Sequence, residues 1–189
     1  MVANFNGFSP LFTRVEELKL TRNNLYIAID GNSSAGKSTL AGLLKSALLC
    51  NVFTMDEFFL RPEQRTPQRL HEPGGNVDYE RFENEVIKPL TSGNPFLYRP
   101  YDCRTRKLVD PVKVIPEQVT VIEGVYSLHP RFTDIYDIKV FLSIDADEQR
   151  RRLKERNASL YDRFINEWIP MENEYFTHFR IREKCDFVF

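Results

Sequence analysis

Apolar residues in this chain come in two rhythms that alternate along its length: short unbroken runs, and stripes spaced three or four residues apart. The first stripe, Leu11, Val15, Leu18 and Leu20 among the charges of residues 10–22, predicts an amphipathic packing helix. Leu25-Tyr26-Ile27-Ala28-Ile29 is a run with β-branched and aromatic members and reads as a buried parallel strand. Leu40, Leu43, Leu44, Ala47 and Leu48 return to helical spacing. Further strands are predicted at residues 51–55, 119–122, 139–144 and 185–189, and helices at 147–157 and 160–180, with Pro170 kinking or dividing the last. Strands alternating with helices predict an α/β fold, a parallel sheet of about five strands with helices on both faces. Ligands of such sheets lie at the carboxyl ends of the strands.

Residues 60–118, between the second and third strands, exceed what a minimal crossover needs, and long connections often carry function. Within them 79–88 reads as a helix capped by Asp78 and ended before Pro89, and the broken alternation of 96–114 reads as a hairpin. The 189 residues fit one domain, with 23–59 and 119–189 as its core and 60–118 as a substrate-binding insertion.

Composition narrows the partners. A net charge of −1 offers no global field for nucleic acid or an anionic membrane. Cys50, Cys103 and Cys185 are odd in number and lack metal-site spacing, so they read as reduced thiols. Residues 1–6 show no leader pattern, and nowhere do about 18 apolar residues run together, which predicts a cytoplasmic protein. The 15 Phe and 8 Tyr supply many rings, for a core or for a planar ligand.

The chemistry concentrates after the first strand. Gly31-Asn32-Ser33-Ser34-Ala35-Gly36-Lys37-Ser38 matches the phosphate-loop pattern G-x-x-x-x-G-K-[ST], with Thr39 following, between a strand and a helix. That setting gathers backbone N–H groups and a helix N-terminus around an anion, predicting the polyphosphate of a nucleoside triphosphate as ligand and a P-loop three-layer sandwich. Lys37 would reach the β and γ phosphates, and the Ser38 hydroxyl is a hard ligand for Mg2+.

Phosphoryl transfer also needs an oriented acceptor and charge stabilisation. Asp56, at the end of the second strand, is placed to take a proton from an attacking hydroxyl, or else to cap the next turn. Glu123, at the end of the third, is placed to hold Mg2+ or to serve the turn. Arg150, Arg151, Arg152 and Arg156 can close over a triphosphate or form a solvated face paired with Asp147, Glu148 and Glu155; Arg152 and Arg156 share a face. Asp78 and Tyr79 suit a sugar's vicinal hydroxyls, beside the capping role of Asp78.

The chain after residue 24 resembles the uridine kinases and their relatives, the nicotinamide riboside kinases, phosphoribulokinases and pantothenate kinases. The resemblance rests on the phosphate loop, Met55-Asp56-Glu57-Phe58-Phe59, Asn76-Val77-Asp78-Tyr79-Glu80-Arg81-Phe82, Tyr98-Arg99-Pro100-Tyr101-Asp102, Ile122-Glu123-Gly124-Val125, and Asp145-Ala146-Asp147 before the arginines. It implies an ATP- and Mg2+-dependent kinase of a small-molecule hydroxyl, foremost the 5′-hydroxyl of a pyrimidine nucleoside. Asp56 would then be the general base, Asp78 and Arg163 would bind ribose hydroxyls, Tyr101 would line the base pocket, and Arg152 and Arg156 would belong to a mobile lid. Uridine kinases usually follow the tyrosine with an aromatic residue and a histidine, whereas Asp102-Cys103-Arg104-Thr105-Arg106 supplies neither. Arg104 and Arg106 face an anionic acceptor such as a sugar phosphate, or are exposed hairpin charges. Residues 56–59 and 168–171 are also similar to nicotinamide riboside kinases.

Two rival classes remain on the page. A nucleotide-sensing regulator would bind ATP without transfer, which Asp56 and Glu123 argue against. A switch GTPase would need an Asn-Lys-x-Asp segment that the chain lacks. A homo-oligomer is compatible with everything above.

Overall fold

The computed structural model describes residues 7–189; the opening hexapeptide, read above for leader character, lies outside them. Helix α1 (Ser9–Lys19) precedes β1 (Leu25–Gly31), and the phosphate loop leads into α2 (Lys37–Ala47). The remaining strands are β2 (Cys50–Thr54), β3 (Phe96–Tyr98), β4 (Tyr101–Asp102), β5 (Lys107–Leu108), β6 (Val112–Val114), β7 (Val119–Glu123), β8 (Ile138–Leu142) and β9 (Phe187–Val188). Five of them form one all-parallel sheet in the order β2, β7, β1, β8, β9. The residues between β2 and β7 carry the expected nested hairpin, β3 against β6 and β4 against β5.

Alternation along the strands divides the interior into two cores. Leu25, Ile27 and Ile29 of β1, Val119 and Val121 of β7, and Ile138 and Val140 of β8 pack on one face with Leu11 and Val15 of α1 and Leu40 and Leu44 of α2. Ala28, Ile122 and Phe141 point the other way, to Phe58, Phe82, Val86, Tyr126, Tyr136 and Tyr175. Full burial of each large apolar side chain contributes about 1.5–3 kcal/mol. Leu20, expected on the stripe of α1, instead lies just past the helix and is 87% exposed.

Both prolines sit inside helical runs. The helix after Asp78 does not stop before Pro89 but runs over 79–92, and the run 161–178 stays helical through Pro170, which stands just past a π turn that separates two α segments. Each proline follows a π turn, Glu83–Ile87 and Phe164–Trp168. A π turn takes an extra residue into the coil, which relieves the contact between the ring and the preceding carbonyls and absorbs the missing N–H.

Candidate active site

Three neighbouring strands deliver the site. β1 lies beside β7 and β7 beside β2, so the phosphate loop, Glu123 and Asp56 emerge side by side at the carboxyl edge. Gly31 approaches β8 so closely that a Cβ there would stand 2.1 Å from the Leu142 carbonyl oxygen. Gly36, at φ +101°, sets the start of α2, whose first turn carries no side-chain cap. Its N–H groups are left for an anion.

A cleft of about 1240 Å³ opens over this edge, lined by Ser33, Ser34, Gly36, Lys37, Ser38 and Thr39 of the loop together with Asp56 and Glu123. Gly31, Asn32 and Ala35 of the loop are not among the residues that line the cleft. The Lys37 ammonium donates to the Gly31 and Asn32 carbonyls, each at 2.8 Å. Burial holds its pKa below the ordinary lysine value, opposed by Glu172, Asp30, Glu123 and Asp56.

The Ser38 hydroxyl donates to Glu123 at 3.1 Å. Glu123 is buried, and burial raises its pKa against the hydrogen bonds of Thr54 and Ser38 and the charge of Lys37. Two hard oxygens in contact, one a buried carboxylate short of positive charge, fit a Mg2+ held in part by phosphates. Among the described residues no cluster of three or more His, Cys, Asp or Glu forms an all-protein cage.

Asp56 opens onto the cleft from the turn Met55–Phe58, yet protein surrounds it closely enough for desolvation to raise its pKa, with Lys37 and Arg156 opposing. A raised pKa suits a carboxylate that accepts a proton. The arginine cluster divides in two. Arg150 pairs with Asp147, and Arg151 with Glu148 and Glu155; neither arginine lines the cleft, whereas Arg152 and Arg156 do. Arg152 bonds Glu148 at 2.7 Å and the Ser34 carbonyl at 3.1 Å.

Tyr101, Cys103, Arg104, Arg106, Arg65, Arg163, Phe164 and Trp168 also line the cleft. Arg163 pairs with Glu167 at 2.9 Å and lies 4.7 Å over the Trp168 ring. Asp78 stays apart from the cleft wall. It caps its helix by accepting from Arg81 N–H at 3.1 Å, accepts from Gln64 at 2.8 Å and stands 3.6 Å from the Arg81 guanidinium, which occupies the carboxylate expected to grip hydroxyls.

Two further residues escaped the sequence reading. Glu172, buried on the run 161–178, accepts from the N–H and hydroxyl of Ser33. Asp30, directly before the loop, accepts from the N–H groups of Gly31, Tyr126 and Leu128 and from the Tyr175 hydroxyl, and burial pushes its pKa up to about 6. A carboxylate closing an otherwise apolar strand was the one visible sign of Asp30. Glu172 gave none.

Sheet order, loop and strand-end carboxylates together define a P-loop kinase fold. The chain's relatives narrow the class. The uridine kinase of Clostridium perfringens is 25% identical over 173 residues, covering 80% of this chain and 80% of that protein. The uridine kinase of Oceanobacillus iheyensis is 26% identical over 166 residues, covering 76% and 74%. Among solved structures, a possible uridine kinase from Bacillus stearothermophilus superposes with a TM-score of 0.70 at 22% identity, over 95% of this chain and 99% of that one. No family model matches. The resemblance drawn from the motifs thus holds at the level of uridine kinase-like P-loop kinases.

Proposed function

We propose that the protein transfers the γ-phosphate of ATP to a small-molecule hydroxyl. The observation that carries this reading is the convergence of loop, Lys37, Ser38, Glu123 and Asp56 on one cleft. In it the loop N–H groups and Lys37 hold the phosphates, and Ser38 and Glu123 would hold Mg2+, which would supply positive charge to offset that of the phosphates. Asp56 orients the acceptor hydroxyl and takes its proton, while Arg152 and Arg156 offset charge from the opposite wall. Positioning and preorganised charge carry the catalysis.

The relatives favour a pyrimidine nucleoside as acceptor, phosphorylated at its 5′-hydroxyl, with Tyr101 and Arg163 beside it. Asp78 would reach ribose hydroxyls only by leaving its cap. A second reading, an acceptor bearing an anionic group such as a sugar phosphate, is favoured by Arg65, Arg104, Arg106 and Arg163, which all line the cleft. Nicotinamide riboside stays in the same frame as a cationic riboside. Incubation with γ-labelled ATP, Mg2+ and a panel of nucleosides, vitamin ribosides and sugar phosphates tests all three. Label on uridine or cytidine supports the first, and label confined to a phosphorylated acceptor replaces it with the second. ATP bound without transfer to any acceptor would make the chain a nucleotide-dependent regulator. We place it in the cytoplasm; among the described residues no helix is long and apolar enough to cross a membrane.

A further inference from the structure

Two residues one turn apart on the helical run 161–178 bond the phosphate loop and the residue before it. Tyr175 donates its hydroxyl to Asp30 at 2.9 Å, and Asp30 in turn accepts the Gly31 N–H at 2.7 Å. Glu172 accepts the Ser33 N–H at 3.1 Å and also the Ser33 hydroxyl. The Glu172 residue is only 4% exposed, yet it lines the cleft, so this is a built contact inside the nucleotide end. The cation that attracts it, Lys37, is itself held by the Gly31 and Asn32 carbonyls.

A loop that presents N–H groups to phosphate presents them equally to a carboxylate, and a single N–H serves one strong acceptor at a time. Glu172 therefore satisfies in carboxylate form the donor that a triphosphate requires. Were both anions to remain, two like charges would face each other in a desolvated recess. The same helical run carries Arg163 and Trp168, nine and four residues earlier, to the wall of the same cleft.

We propose that Glu172 competes with the triphosphate for the Ser33 N–H, so that nucleotide binding expels it and shifts the run 161–178 together with Arg163 and Trp168. The inference rests on the kinase reading and adds to it an order of events: the acceptor end is reset by the arrival of the phosphate donor. Tyr175, bonded to Asp30 rather than to the loop amides, stays as the pivot.

Trp168 is the chain's one tryptophan, so its emission reports on this segment alone among indoles. The test titrates wild type and Glu172→Gln with ATP, following heat by calorimetry and Trp168 emission in parallel. Removing the competing charge should tighten ATP roughly tenfold in the variant. In wild type, ATP should change Trp168 emission, and this second measurement stands even where the variant fails to fold. Equal or weaker ATP binding by Glu172→Gln, or wild-type emission indifferent to bound ATP, would overturn the competition while leaving the kinase reading intact. Failure of wild type to bind ATP at all would remove both.

Discussion

In the proposed reaction the proton transfer falls to Asp56, because it joins a raised pKa to a position near both Lys37 and Arg156. Asp56→Asn keeps the side chain's size and removes its proton-accepting charge. It should leave ATP affinity nearly unchanged, as read by calorimetry, and lower turnover by about 10²–10⁴-fold. Turnover close to wild type would assign the proton to another acceptor. Residues of this kind were legible in the sequence, Lys37 and Ser38 by motif, Asp56 and Glu123 by following apolar runs. Glu172 and Tyr175 were not, because their partners lie 139 and 145 positions away and only the folded sheet brings them together. Asp78 shows the converse limit, since its spacing announced a cap and a ligand equally, and the contacts of Gln64 and Arg81 support the cap.

Strands and long helices were read close to their bounds because periodicity reports burial, and burial is what the sheet imposes. The turns inside helices were not, because a π turn leaves no periodic mark beyond a local slip of the stripe. That slip has a consequence in the run 161–178. One extra residue in a coil rotates everything beyond it by about 100° relative to plain α geometry. Deleting the exposed Asn166 would restore the plain coil and turn Arg163 and Glu172 out of their joint approach to the cleft. The far-ultraviolet dichroism of such a variant should match wild type while KM for the acceptor rises several-fold. An unchanged KM would show that the π turn serves the proline alone.

At the scale of the molecule, two buried groups set opposite responses to acid. Burial raises Asp30 to about 6, so the stability linked to it is full below about pH 4 and is lost as pH climbs through about 6. His129 sits among Tyr79, Phe132 and Phe179, and burial, aided by Arg69 and Arg131, lowers it to about 4. Its contribution is full above about pH 6.5 and is lost as pH falls through about 4. Each change is worth about 3 kcal/mol and the two largely cancel across that window. Melting temperatures taken between pH 4 and 7 should separate them. Relative to wild type, His129→Phe should gain stability on acidification and Asp30→Asn should lose it; parallel curves would show that neither group titrates in the fold.

The division of the interior also makes the protein optically one-sided. Tyr26, Tyr79, Tyr98, Tyr126, Tyr136 and Tyr175 all belong to the core beneath the acceptor end, while the core under α1 and α2 is aliphatic with phenylalanines at its margin. Near-ultraviolet spectra will therefore follow loosening of the first and pass over loosening of the second. A denaturation curve recorded at 280 nm measures half of this molecule, and amide exchange on α1 and α2 is the probe that sees the other half.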